Sequence, residues 1–81
     1  MASKHDLKEW VVEALEAHKG QASLIDVAAH IWLNHEAELR ASGDLFCKWQ
    51  YDMRWAALSL RHEGKLAPAE DAPRGYWRLA E

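Results

Sequence analysis

The sequence has little of what marks secreted, disulfide-bonded or membrane proteins. Its single cysteine, Cys47, excludes a disulfide within the chain. No apolar run approaches the roughly 20 residues of a membrane-spanning helix, and the first six residues lack the basic-then-apolar pattern of a signal peptide. No repeat or low-complexity tract is present, and the composition, 49% hydrophobic and 28% charged, is close to that of globular proteins. We therefore expect an ordered cytoplasmic protein without a membrane anchor.

Basic residues are also few, because ten Lys and Arg stand against thirteen Asp and Glu, which gives a net charge of −3. This balance argues against a protein that coats nucleic acid by charge alone. The distribution is uneven, since residues 44–81 hold six of the ten basic residues and are neutral overall. The C-terminal half is therefore the better half for contacting a polyanion. A chain of 81 residues allows one small domain, residues 1–81, and no deep catalytic cavity.

Apolar residues three and four positions apart predict a first helix over about residues 4–18. Ser3 and Asp6 form a plausible capping box before it, and Gly20 is placed to end it. A short connector then leads to Ser23, which predicts the cap of a second helix. That helix is predicted over about residues 24–41, either as one long helix or as one broken near Asn34 and His35.

A third helix is predicted over about residues 46–63, and Gly64 is expected to end it. Two short alternating runs then flank a Pro/Gly/Asp-rich loop, a pattern that predicts a β-hairpin over about residues 65–80. The predicted core consists of Leu7, Trp10, Val11, Leu15, Leu24, Val27, Ile31, Trp49, Met53, Leu60, Leu66 and Leu79, with Phe46 on the same side of the third helix. The element order predicts a mostly helical α+β domain, a winged helix–turn–helix with three helices and a C-terminal hairpin wing.

The C-terminal half resembles the recognition-helix and wing segments of winged-helix domains, and within them it is most similar to the N-terminal domain of Mrr-type restriction proteins. The resemblance rests on Arg54-Trp55-Ala56, Leu60, Gly64 and Leu66, and on the ending Arg74-Gly75-Tyr76-Trp77-Arg78-Leu79. It implies a domain that binds DNA. It also implies that a nuclease would lie in a separate downstream domain, which these 81 residues do not contain.

The third helix has a non-core side rich in groups that bind nucleic acid. Arginine and lysine can bind guanine, glutamine can bind adenine, and tyrosine can contact phosphate or sugar. Wing arginines commonly contact phosphate or the minor groove, and amides at the start of the second helix can bind a phosphate. The predicted DNA-binding residues are therefore Lys48, Gln50, Tyr51, Arg54, Arg74, Arg78 and Ser23. The alternative interpretation is that these charges form an ordinary solvated surface.

Catalysis and metal binding have little support in the sequence. His30 and His35 are five residues apart, not the four that place two ligands on one helix face. One cysteine cannot build the usual structural zinc site, and no glycine-rich phosphate loop occurs. We therefore predict no enzyme activity, no cofactor and no small-molecule substrate.

The sequence thus predicts a regulatory or accessory module that docks its third helix in the major groove of double-stranded DNA. Useful affinity would need a homodimer or a fused partner protein, since a single winged helix buries little surface. The alternative function is a protein-interaction module of the same fold that uses a Trp-rich surface, because tryptophan is common at binding hot spots. Trp55 and Leu58 are expected to pack under the wing, against Tyr76 or Trp77.

Overall fold

The computed structural model describes residues 3–80. Its elements in chain order are α1 (Asp6–Ala17), β1 (Gln21–Ser23), α2 (Leu24–Arg40), α3 (Asp44–His62), a one-turn 3₁₀ helix (Ala69–Asp71) and β2 (Tyr76–Arg78). The fold is the mostly helical α+β class that was predicted, three helices with a small antiparallel sheet in a winged-helix layout. Within this range no helix combines the length and apolar character needed to cross a bilayer.

The first helix begins with half of the predicted capping box, because the Ser3 amide donates to the Asp6 carboxylate over 2.9 Å. It ends one residue earlier than the glycine signal suggested. Lys19, not Gly20, is the first residue after the cap, with a φ of +64°, and its amide donates to the Glu16 carbonyl while that of Gly20 donates to the Leu15 carbonyl. This pair of bonds is a Schellman motif, which closes the helix with a lysine in a conformation that glycine normally takes.

The second helix begins at the predicted cap, since the Ser23 hydroxyl accepts from the Asp26 amide over 3.1 Å. It then runs to Arg40 as one element, but His35 has non-helical angles, φ −132° and ψ 19°. Both alternatives for this segment therefore hold in part, because the helix is long and is kinked at His35. Beyond the kink, Leu39 in the last turn packs into the core.

The third helix starts at Asp44, two residues before the predicted start. Gly43 precedes it with φ +59° and ψ −121°, angles that a residue with a side chain adopts only under strain. The predicted end is confirmed, since the Gly64 amide donates to the Arg61 carbonyl and the Lys65 amide to the Leu60 carbonyl. Both ends of α3 are thus defined by glycines.

The sheet differs from the predicted hairpin. β2 pairs antiparallel with β1, which was predicted to be a mere connector, in the register Gln21↔Arg78 to Ser23↔Tyr76. The predicted pairing around residues 65–80 is reduced to one bridge, Leu66↔Leu79. Three residues are too few to show strand alternation, which explains why β1 was missed. The loop over residues 68–75 is consequently held against the start of α2.

One hydrophobic core joins all three helices and the sheet. Ten of the twelve predicted core residues are buried, while Leu24 and Leu79 are partly buried against the same cluster. Phe46 was wrongly placed in the core, because it is 38% exposed and its neighbour Leu45 is buried. The earlier start of α3 allows this, since Leu45 then lies inside the helix and on its buried side.

The expectation for Trp55 was wrong and that for Leu58 holds only in part. Trp55 packs at the start of α1, where its ring lies edge-on to His5 at 5.5 Å and under the Lys4 ammonium at 4.5 Å. Leu58 does border a groove that Tyr76 and Trp77 also line, but it stays 53% exposed. The loop therefore stands away from α3 and leaves a gap between them.

Candidate nucleic-acid interface

The outer side of α3 carries the predicted contact residues. Gln50, Tyr51 and Arg54 are all exposed, Tyr51 by 75%. At 100° per residue, Gln50 lies about 40° to one side of Arg54 and Tyr51 about 60° to the other. These three side chains therefore form one patch, which we call the α3 patch. Lys48 is exposed as well, but it lies about 120° around the helix from Arg54 and so at the edge of this patch.

A groove of about 620 Å³ separates α3 from the loop over residues 69–75. Its α3 wall contains Arg54, Leu58 and Arg61, and its loop wall contains Arg74 and Glu70. We call it the arginine groove. It continues the α3 patch, because Arg54 belongs to both.

The positive charge of this groove comes from three arginines that are not neutralised by any of the described residues. Among residues 3–80, no carboxylate lies within ion-pair distance of Arg54, Arg61 or Arg74. The Nε of Arg61 is also excluded from solvent and has no hydrogen-bond partner. Two cations elsewhere are paired with carboxylates, Arg40 with Glu36 at 2.7 Å and Lys8 with Glu63. Three arginines without an ion pair among residues 3–80 thus line a single groove, although the protein as a whole is acidic.

Arg61 was missed as a site residue. The sequence placed it on the non-core side of α3 but gave no reason to separate it from other surface arginines. The available signal was its spacing, because a residue seven positions after Arg54 lies on the same side of a helix, two turns further along. What makes Arg61 distinctive is the loop opposite, whose position depends on the β1–β2 pairing.

The remaining predicted residues lie outside the groove or are already engaged. Arg78 is exposed and lines a second hollow with Arg61 and Asp71, and its Nη1 donates to the Asp71 carbonyl over 3.5 Å. Ser23 uses its hydroxyl oxygen as the cap of α2. The Leu24 amide donates to the Gly75 carbonyl over 3.0 Å, so that it is not free to bind a phosphate as expected.

A histidine–carboxylate cluster connects α1 to the kink of α2. His35 stacks on Trp10 at 4.0 Å and holds two carboxylates, Nδ1–H donating to Glu38 over 2.9 Å and Nε2–H to Glu13 over 3.1 Å. His30 lies 3.3 Å from the same Glu13 oxygen. The five-residue spacing argued against two metal ligands on one helix face, but both rings contact the same Glu13 carboxylate.

Only the doubly protonated imidazolium can donate from both ring nitrogens. Partial burial lowers the pKa of His35, but the hydrogen bonds to Glu38 and Glu13 outweigh it, and the net pKa is raised above 6.5. Burial likewise raises the pKa of Glu13, but the bonds from His35 and His30 dominate and lower it below 4.5. The cluster is therefore an ionic link that stabilises the α2 kink. Within residues 3–80, no group of three or more His, Cys, Asp or Glu could hold a metal ion.

Apolar side chains are exposed on the outer side of α2. Ile25 and Leu33 are 79% and 80% exposed, and Ile25 also lines a shallow hollow with Trp32 and Phe46. The five tryptophans do not form a surface of their own, since three are buried and two are partly buried. The described residues therefore do not form the predicted Trp-rich surface.

No protein-family model, no curated protein and no solved structure is significantly similar to this chain. Function must therefore be inferred from the fold and from the arrangement of these side chains.

Proposed function

We propose that this protein is a DNA-binding module of regulatory or accessory type, acting in the cytoplasm by docking alone. The observation that carries the proposal is the α3 patch, an exposed Gln50–Tyr51–Arg54 surface that continues, through Arg54, to two further arginines in the groove. Glutamine and arginine side chains match adenine and guanine edges in the major groove. The resemblance to Mrr-type N-terminal domains agrees with this proposal and stays a hypothesis.

In this mechanism α3 enters the major groove of double-stranded DNA, and the loop over residues 68–75 lies beside it. Gln50 and Arg54 contact base edges, while Tyr51 contacts the sugar–phosphate backbone. Arg74 and Arg78 contact phosphates from the loop side. Because so few positive groups take part, affinity depends on a second copy or on a fused partner.

The experiment is fluorescence anisotropy with labelled random-sequence duplex DNA at about 20 mM salt, where weak electrostatic binding is strongest. We expect binding that Arg54→Ala weakens by roughly 10-fold or more, the equivalent of the 1–3 kcal/mol typical of a base contact. Lys48→Ala removes the same charge from the same helix at the edge of the patch, and we expect a clearly smaller loss. The melting temperature should stay nearly unchanged in both variants, since both side chains are exposed.

Absence of binding by the unmodified protein at this salt would refute the proposal. Equal losses for Arg54→Ala and Lys48→Ala would show that charge alone is sensed and that the α3 patch has no special role.

A protein-interaction module is the second candidate. It is favoured by two large apolar side chains on α2, Ile25 and Leu33, which are 79% and 80% exposed. Leu33→Asp would then abolish partner binding or self-association on a sizing column and leave DNA binding unchanged.

A further inference from the structure

We infer that the arginine groove is a phosphate-binding subsite, with Arg61 as its inner residue. The inference rests on the proposed function in one respect, that the phosphate belongs to the DNA backbone. The subsite itself can be tested without DNA. It adds a residue that neither the sequence pattern nor the α3 patch identifies.

The charges that line the groove favour phosphate over a simpler anion. Three arginines and one carboxylate, Glu70, are the charged residues among its lining, so the groove carries a net charge of +2. One phosphate monoester, which bears up to two negative charges near neutral pH, would balance this charge. Two phosphodiesters of a nucleic-acid backbone, with one negative charge each, would balance it as well. One guanidinium group can donate two parallel hydrogen bonds to two oxygens of the same phosphate, which makes arginine a preferred side chain for this ligand.

The two walls allow a phosphate to be contacted from opposite sides. Arg54 and Arg61 are two turns apart on α3, about 10 Å along the axis, and Arg74 belongs to the loop wall. Leu58 and Tyr76 are exposed and also line the groove, and their apolar surfaces suit a sugar better than a second charged group.

The buried Nε of Arg61 supports a site built for an anion. A solvent-excluded guanidinium nitrogen without a partner is costly in the free protein. An anion held by the terminal nitrogens of Arg61 would compensate part of that cost through its charge. Glu70, on the loop wall, works against the same anion and therefore limits its affinity.

The direct test is NMR of the arginine Nε–Hε groups while sodium phosphate is added to the full chain. Sodium acetate and sodium chloride at equal ionic strength serve as controls for a carboxylate and for salt. We expect saturable shifts for Arg61 and Arg74 with phosphate only, and none for Arg40, which is paired with Glu36. Shifts that are equal in all three salts, or that fail to saturate, would overturn the inference.

Two variants locate the site. Arg61→Gln should reduce phosphate affinity about tenfold, as expected for one charge-assisted contact, with an unchanged circular dichroism spectrum. Glu70→Gln should increase it several-fold, whereas Glu16→Gln makes the same change of net charge on α1 and should not. Equal effects of the two Glu variants would show that net charge alone is measured.

The source of the phosphate is settled by repeating the series with duplex DNA. If Arg61→Gln weakens both phosphate and DNA binding, the subsite holds the nucleic-acid backbone. If phosphate binds and DNA does not, the proposed function fails, the subsite stands, and its ligand is a free phosphate compound. If DNA binds normally to Arg61→Gln and phosphate gives no specific shifts, the function stands and the subsite is refuted.

Discussion

Leu60 tests the packing on which the whole interface depends. It is 1% exposed on the inner side of α3, where α3 packs against α1. Leu60→Ala removes three carbon atoms, worth about 2.4 kcal/mol of transfer free energy at roughly 0.8 kcal/mol per methylene. The neighbours belong to helices that cannot collapse into the gap, so a cavity cost is added, and we expect a total loss of about 3–5 kcal/mol.

The assay is urea unfolding followed by circular dichroism, with thermal unfolding as a second measurement. For a domain of this size, a loss of about 3 kcal/mol lowers the melting temperature by at least about 12 °C. Leu33→Ala is the matched control, the same substitution at an exposed helix position, and should cost about 0.5 kcal/mol or less. A cost below about 1 kcal/mol for Leu60→Ala, or equal costs for the two variants, would refute the assigned orientation of α3.

Three further predictions concern pH, backbone strain and salt. His35 has a raised pKa, so its stabilising contribution is complete below about pH 6.5 and is lost as the pH rises through the folded-state pKa. The free energy of unfolding, measured with urea at a series of pH values, should therefore fall over that range. In His35→Gln the fall should be much smaller. Lys19→Gly should stabilise the protein by about 0.5–1 kcal/mol in urea unfolding because φ is +64° there, whereas Lys48→Gly, inside α3, should destabilise it by about 1 kcal/mol. DNA affinity should fall with salt with a log–log slope of about −2 to −4, and Arg74→Ala should make the slope shallower by about one without changing sequence preference.

The helices could be predicted closely because their signals are local. Apolar spacing, the Ser23 cap and Gly64 identify them to within about two residues of the observed bounds. The sheet could not be predicted in the same way, because β1 has three residues and its partner lies more than fifty residues away. Pairing over that distance depends on how the helices pack, which no local pattern records.

The same distinction separates the parts of the candidate site. The α3 patch follows from helix periodicity, so that Gln50, Tyr51 and Arg54 could be chosen from the sequence. The role of Arg61 could not, because it depends on a loop brought opposite by the sheet. The link from His35 to Glu13 was also missed, since it joins residues 22 positions apart on two different helices.

The pairing of β1 with β2 also determines which parts of the molecule can fold first. It joins Gln21 to Arg78, 57 positions apart, and closing so long a segment costs chain entropy that only already packed helices can offset. On the ribosome, all three helices are synthesised before Tyr76, and the loop wall of the arginine groove has no fixed position until β2 has followed. A nascent chain can therefore expose the α3 patch early, but it gains the complete interface only once Arg78 has been added and has left the exit tunnel.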